Sequence, residues 1–598
     1  MYNYFIKLFY LLPKGDLLKL IFLFFMMLLA SILEVAGIGI IPLFVSMLAD
    51  PNQVLGFEIL QVFYKIFSIE DSEDLLIVGS FLLILIFIIK NTYITYFKYI
   101  QSKFVWNRFK IISSTLFKKY MNAPYEFHLN RNSSELLRNV TQEAQHLVKF
   151  VMVPLLNISM EVVVVIGILM FLVVLEPLIT FGVFILLGFV GGGFLKLIKK
   201  KTKLFGKQAQ KDRAHMIKAV QEGVGGIKDI KILGRESWFE VNLNKHLKSY
   251  TKSQTFREVA SQATKPVMET FAVIGMLCIA LILFGQGRSL SVVIAVLTLF
   301  GAATIRLMPA LQHIIQHWTN LRYYIHTIDP IFNDTKLLVH SHYTNSKKKQ
   351  DLTPFKESIN FDNVSFSYFE SKEKAVKKLS FKIRIGEAVG FVGSSGAGKT
   401  TVIDLLLGLL EPDEGKVLVD NLDIKNNIWQ WRSLIGYIPQ YIYLKDSSIR
   451  ENIAFGLPTS KIENKKIEKA LEVANLSELI DNLPEGLDTK TGEGGMRLSG
   501  GQRQRIGIAR ALYHNPMVVV MDEATSALDN ITESIIMNAI EKLKGKKTVI
   551  MIAHRISTVK NCDTIYYMEN GHIIQSGSYE SLIMSNNNFR KMCLEKQN

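Results

Sequence analysis

Apolar positions are distributed unevenly along this chain, and that pattern divides it in two. Up to about residue 330, long apolar runs are separated by polar, mostly basic connections. From about 357 onward, short apolar runs alternate with polar and glycine-rich turns, which predicts strands and helices of an α/β domain. Six runs in the first part are long enough to cross a membrane: about 17–48, 75–99, two within 147–197, 264–284 and 290–312. The 147–197 stretch is broken at Glu176-Pro177. Proline disfavours helix at the residue before it, so a tight hairpin is expected there. Tyr2, Phe5, Phe9 and Leu12, with Lys7 and Lys14, predict a short interfacial helix ahead of the first run. The segment 55–68 places Glu58, Gln61, Lys65 and Ser68 on one stripe and predicts a short external helix.

Composition agrees with this division. Of 598 residues, 49% are apolar and 20% charged, which is too apolar for a wholly soluble chain and excludes intrinsic disorder. The three cysteines, Cys278, Cys562 and Cys593, have no metal-ligand spacing and cannot form a disulfide scaffold. The formal charge of +16 raises nucleic acid as a partner, but the basic residues fall between the apolar spans, as cytoplasmic loops require. Lys98, Lys103, Arg108, Lys118 and Lys119 follow the second span. Asp50, Glu58, Glu70, Asp71, Glu73 and Asp74 lie between the first and second. The positive-inside rule then puts both termini in the cytoplasm. The expected organisation is a six-span membrane domain over 1–332, a linker over 333–356 and a nucleotide-binding domain over 357–598.

The chemistry lies in the last of these. Gly393-Ser394-Ser395-Gly396-Ala397-Gly398-Lys399-Thr400, with Thr401 after it, follows an apolar strand and opens a helix. This is the context in which G-x-x-x-x-G-K-[ST] binds phosphate. Backbone N–H groups converge on the oxygens, the helix N-terminus adds positive charge, the lysine reaches the β/γ-phosphates and the threonine holds Mg²⁺. Val518-Val519-Val520-Met521 predicts a buried strand that delivers Asp522 to the metal shell and Glu523 to a position where it polarises the attacking water.

Leu498-Ser499-Gly500-Gly501-Gln502, together with these two features, resembles the signature of ATP-binding-cassette (ABC) ATPases. The resemblance implies ATP and Mg²⁺ as cofactors. By it, Tyr368 stacks on adenine, Gln440 contacts Mg²⁺ or water, Ser526-Ala527-Leu528-Asp529 forms the D-loop, His554 meets the γ-phosphate and Glu493 belongs to an acidic loop before the signature. It further implies a homodimer, because the signature meets ATP held by the other subunit. The fold class is thus an α-helical membrane domain of six transmembrane helices followed by an α/β phosphate-loop ATPase domain with a helical subdomain. Segments 123–128 and 225–231 are the candidate coupling turns.

The cargo is read from charges inside the spans. Lys90 and Arg306 fall about 15 residues into spans two and six from the outside, roughly 22–24 Å deep at 1.5 Å per residue, and Lys265 opens span five from the cytoplasmic side. Three cations at one depth predict a basic cavity for a phosphate or pyrophosphate head group. Snorkelling by Lys90 and Lys265, and pairing of Glu34 and Glu269 with basic residues, are the competing readings. Arg306-Leu307-Met308-Pro309, the 436–444 run and the cations at 90, 265 and 306 resemble PglK-type flippases of lipid-linked oligosaccharides. Here lysine replaces arginine at 90 and 265, and His313 stands at another arginine position. The resemblance implies ATP-driven movement of a polyprenyl-pyrophosphate glycan to the outer leaflet of a bacterial inner membrane, with no nucleic-acid partner. Export of another lipid or an amphipathic drug is the alternative.

Overall fold

A computed structural model describes residues 2–11, 15–49, 72–287, 290–337, 355–369, 371, 373–523, 530–541, 543–553 and 555–594. The external helix expected over 55–68 lies outside the described residues. So do His554 and the whole of Ser526-Ala527-Leu528-Asp529. The chain divides into two units, Met1–Ala123 with Arg131–Tyr343, and Pro124–Asn130 with Thr344–Asn598. The first candidate coupling segment, which forms the short helix Tyr125–Leu129, therefore groups with the second unit. The other candidate forms the helix Ile227–Leu233 and stays in the first.

The described residues of the first unit are almost entirely helical. Among the described residues, five helical stretches are long and apolar enough to cross a membrane: Asp16–Gly37, Ile77–Met121, Ser133–Leu175, Pro177–Gly225 and Glu236–Gly285. The sixth expected span lies in the helix Leu290–Tyr324, which runs through Pro309 without ending. The helix Ser72–Met121 has 50 residues and Pro177–Gly225 has 49. At 1.5 Å per residue each reaches roughly 75 Å, more than twice the hydrocarbon thickness, so long polar extensions follow from length alone. The third and fourth spans part at Glu176 (φ −139°, ψ 80°), where Pro177 excludes the α conformation and then starts the next helix. Two π-helical turns, Asn139–Glu143 and Val148–Met152, interrupt the approach to the third span.

Burial explains how these helices hold together. Val164, Ile168 and Leu172 recur every four residues on one face of the third span. They pack with Ile279 and Leu283 of the fifth and Val296, Phe300, Ala303 and Leu307 of the sixth. The outward faces stay apolar and uncovered: Val174 is 82% exposed and Leu178 78%, as lipid-facing positions require. Backbones approach closest at Gly206, where a Cβ would overlap the Tyr323 carbonyl oxygen. Overpacking a helix contact costs about 1–3 kcal/mol. Gly206→Ala is therefore expected to lower the melting temperature of the detergent-solubilised protein, and an unchanged melting curve would show that the two helices can part freely.

Charged and polar side chains tie distant helices of this unit together. The helix expected at the N-terminus forms over Tyr2–Leu11, and its Lys7 meets Asp329 at 2.6 Å. Asp334 accepts a hydrogen bond from Asn139 Nδ2 at 3.0 Å and another from Tyr120 Oη at 2.5 Å.

Among the described residues of the second unit, ten strands form two sheets: β1 (Ser358–Phe366), β2 (Val376–Arg384), β3 (Ala388–Gly393), β4 (Glu414–Val419), β5 (Leu422–Asp423), β6 (Ile435–Ile438), β7 (Val518–Asp522), β8 (Thr548–Ile552), β9 (Thr564–Glu569) and β10 (His572–Gly577). The antiparallel sheet has the order β2-β1-β4-β5 and the mainly parallel sheet β10-β9-β3-β8-β7-β6. Every residue of β3, β7 and β8 is buried, so these strands read as continuous apolar runs rather than alternating ones. Because β7 and β3 both flank β8 in parallel, their C-terminal ends open on the same edge of the sheet, where ligands of α/β folds collect.

Candidate functional site

The phosphate loop leaves β3 at Gly393 and ends in the helix Lys399–Leu406. Its glycines are needed for conformation and for space. Gly396 and Gly398 have φ of +82° and +96°, and a Cβ on Gly398 would sit 2.7 Å from the Ala375 carbonyl oxygen. Ser394, Ser395 and Gly396 are exposed, and Ala397 is buried beneath them. Lys399 is buried, and its Nζ donates to the carbonyls of Gly393 at 2.9 Å and Ser394 at 2.8 Å. The ammonium is thus held at the mouth of the loop, where it can turn to a phosphate. Thr400 is exposed at the helix start, whereas Thr401 is buried.

Strand β7 carries the acidic half. Asp522 is 7% exposed, and its carboxyl is pushed up to about 6 by burial and by neighbouring Glu523, with Lys399 pulling the other way. Asp404, on the phosphate-loop helix, is also pushed up to about 6, by burial and by Asp522. A pocket in which buried carboxylates resist ionisation is one a divalent cation would relieve. Thr400, Asp522 and Gln440 supply the hard oxygen donors that Mg²⁺ takes, so the donor set fits that ion. Glu523 has φ +50°, left-handed backbone that a non-glycine residue adopts only when the surroundings enforce it. Its N–H donates to the Ile552 carbonyl at 3.1 Å. The turn directs its carboxylate away from the strand, where it accepts a hydrogen bond from Gln440 Nε2 at 2.6 Å. Gln440 and Glu523 stand 83 positions apart in sequence, and only the pairing of β6 beside β7 brings them together.

Tyr368 is half-buried. Its ring meets Phe366 edge-on at 5.1 Å, and its hydroxyl is 3.0 Å from Thr401 Oγ1, which sets the aromatic beside the phosphate-loop helix. The neighbouring Phe369 is 75% exposed. The signature serine caps the helix Gly500–Leu512. Ser499 Oγ accepts from the Gln502 N–H at 3.2 Å, and Gln502 Oε1 accepts from the Ser499 N–H at 2.8 Å. This capping box leaves the glycine N–H groups of the first turn pointing outward, a ready anion cradle. Leu498 packs on the domain core. Glu493 lies in the short helical turn before the signature.

The membrane half groups the predicted cations only in part. Arg306 Nε lies 3.1 Å from Glu34 Oε2 and its NH2 3.2 Å from Glu161 Oε2, while His313 Nδ1 is 3.0 Å from Glu161 Oε1. Lys90 is within electrostatic reach of Glu34 and Arg306 and lies over the Phe87 ring at 4.2 Å. Lys265 stands apart from that cluster: its side chain is 69% exposed and faces Glu269 one turn along its own helix at 4.0 Å. Glu161 and Lys98 are the residues that sequence reasoning missed. The available signal was a glutamate inside the apolar run 147–197, since an ionisable residue within a span marks an interior face.

Comparison with known proteins bears on both halves. Residues 376–526 match the family model described as ABC transporter, and residues 24–307 match that of the ABC transporter transmembrane region. The chain is 30% identical over 478 residues to an ATP-dependent lipid A-core flippase of Cupriavidus metallidurans, a match covering 79% of each. It is 29% identical over 479 residues to another of that description from Francisella tularensis subsp. tularensis, covering 78% of this chain and 76% of the relative. Among solved structures, a bacterial Atm1-family ABC exporter with ATP bound superimposes with a TM-score of 0.77 over 98% of this chain and 99% of the other, at 22% identity, which speaks to fold alone.

Proposed function

This chain belongs to the ABC transporter family, as a half-transporter with a multi-pass membrane region and an ATP-hydrolysing domain on one polypeptide, and from that premise we propose that it is an ATP-driven flippase for a lipid with a phosphorylated glycan head group. The head group moves from the cytoplasmic to the outer leaflet of a bacterial inner membrane, with both termini in the cytoplasm. A polyprenyl-pyrophosphate oligosaccharide is the cargo proposed first. A lipid A-core type glycolipid is the second reading, favoured by the names of the relatives. The observation that carries the proposal is the polar cluster around Arg306, built by spans that are otherwise apolar. A drug or simple-lipid exporter is served by a more apolar cavity, and each ionised side chain at that depth costs roughly 2.5–3.5 kcal/mol to insert.

The working unit is a homodimer with two equal composite sites. In each, Lys399 and the phosphate-loop N–H groups orient the ATP phosphates. Tyr368 packs on the adenine, and the Ser499 helix start of the second copy faces the γ-phosphate, as His554 does from its own chain. Thr400, Gln440 and Asp522 would hold Mg²⁺, which would supply charge neutralisation for the phosphates. Glu523, oriented by Gln440, polarises the water that attacks in line. ATP draws the two copies together and hydrolysis releases them.

The test is transport of a fluorescent polyprenyl-pyrophosphate oligosaccharide and of a lipid A-core glycolipid into the far leaflet of proteoliposomes. ATP-dependent movement of the first supports the primary reading, and movement of the second alone moves the assignment to it. ATP hydrolysis with neither moved refutes the glycolipid assignment and leaves the family membership intact.

A further inference from the structure

Arg306 is not an isolated cation awaiting an anion. Two carboxylates from two other helices hold it, Glu34 and Glu161, at 13% and 11% side-chain exposure. The polar contacts continue along the same helices. Asn157 Oδ1 accepts from Lys98 Nζ and Gln101 Nε2, each at 3.2 Å, and Asn157 Nδ2 faces His317 Nε2 at 3.3 Å. His313 and His317 stand with ring centres 6.2 Å apart. Two hydrogen-bonded sets drawn from four spans thus lie close together, and in the one around Arg306 the acids outnumber the guanidinium.

A bare phosphate is poorly served by that triad. To reach Arg306 it must part the guanidinium from both carboxylates, which takes from Glu34 its hydrogen bonds to Arg306 and leaves Glu161 with His313 Nδ1 at 3.0 Å, in a low-dielectric interior. A head group that carries O–H or N–H donors beside its phosphate meets no such penalty. The phosphate takes the guanidinium, and the donors take the carboxylates it releases. We propose that Glu34 and Glu161 are substrate-contacting residues alongside Arg306, and that they select a head group in which a phosphate is flanked by hydrogen-bond donors. This deepens the flippase reading above and rests on it. Two sources supply the donors, sugar hydroxyls or a sugar amine.

Three probes with one polyprenyl tail separate the possibilities: polyprenyl phosphate, polyprenyl-phosphate hexose and polyprenyl-phosphate aminohexose. Binding is measured on the full-length protein in nanodiscs, and movement in proteoliposomes. Wild type is expected to bind the two sugar-bearing probes at least about tenfold tighter than the bare phosphate, about 1.4 kcal/mol. Glu34→Gln and Glu161→Gln are expected to shrink that ratio, weakening the sugar probes more than the bare one. Equal gains for both sugar probes support the proposal with hydroxyls as the donors, and a larger gain for the aminohexose supports it with the amine. Equal wild-type affinity for all three overturns it, as does a loss in both variants common to all three probes, which would mark the carboxylates as structural while the flippase reading stands. Binding of none of the probes, with ATP hydrolysis intact, overturns the proposal, while the flippase reading stands or falls with the transport of the two full-size glycolipids. Should a variant fail to fold, the wild-type ratio still decides.

Discussion

Glu523→Gln is expected to bind ATP with nearly wild-type affinity and to lose at least about a hundredfold in turnover, the lower end of what a positioned general base contributes. The argument is geometric. The amide has the size and hydrogen-bonding reach of the carboxylate, so the left-handed turn at φ +50° and the contact with Gln440 survive the change. What is lost is the negative charge that draws a proton from water. Lys399 and the phosphate-loop glycines, which carry binding, sit on a different strand and helix and are untouched. Phosphate release and binding of a fluorescent ATP analogue, measured on the same preparation, separate the two effects. Turnover within about tenfold of wild type would transfer the base to another group and reduce Glu523 to a support for Gln440.

The two halves of the molecule differ in how much of them could be read from residue order. In the ATPase half the chemistry is local. Eight consecutive residues make the phosphate loop, five make the signature, and β7 presents Asp522 and Glu523 in succession. Each relies on backbone geometry that a short stretch encodes by itself, and the parallel sheet brings the ends of β3 and β7 to one edge. Contacts across the sheet were not legible in that way. The Gln440–Glu523 bond depends on β6 lying beside β7, and the raised Asp404 carboxyl depends on the phosphate-loop helix facing that strand. In the membrane half the spans were legible from length and apolarity, because lipid imposes one simple requirement on every residue of a run. The rotation of each helix was not, since apolar residues surround the whole circumference and hide which side faces inward. The competing expectation, that Glu34 and Glu269 pair with basic neighbours, is what the contacts show: Glu34 with Arg306 across two helices, Glu269 with Lys265 one turn away. Glu161 escaped notice because a single acid barely alters the hydropathy of its run, although it becomes the hinge of the cluster by meeting both Arg306 and His313.

That cluster gives the second large effect. Arg306→Met keeps the volume of the side chain and removes its charge, which leaves Glu34 without its guanidinium partner beside Glu161, whose remaining contact is His313. Removing one partner of a buried ion pair costs about 3–5 kcal/mol, whereas replacing the whole group by neutral residues of similar size is close to neutral or stabilising. The single variant is therefore expected to lose most of its thermal stability in detergent. The triple variant Arg306→Met, Glu34→Gln, Glu161→Gln is expected to regain wild-type stability or exceed it. Transport should not return with stability, because the triple variant has neither the guanidinium for a phosphate nor the carboxylates for its flanking donors. Measured together, the melting curve and the flipping assay separate the two roles of one triad. If the single variant melts within a degree or two of wild type, water or lipid head groups reach the carboxylates and the triad is not a closed interior unit. If the triple variant transports normally, these charges hold helices together and the cargo is recognised elsewhere. If stability is rescued and transport is not, the ion pairs are retained at a cost to stability because the cargo needs them, which is the expected outcome for polar groups kept inside a membrane.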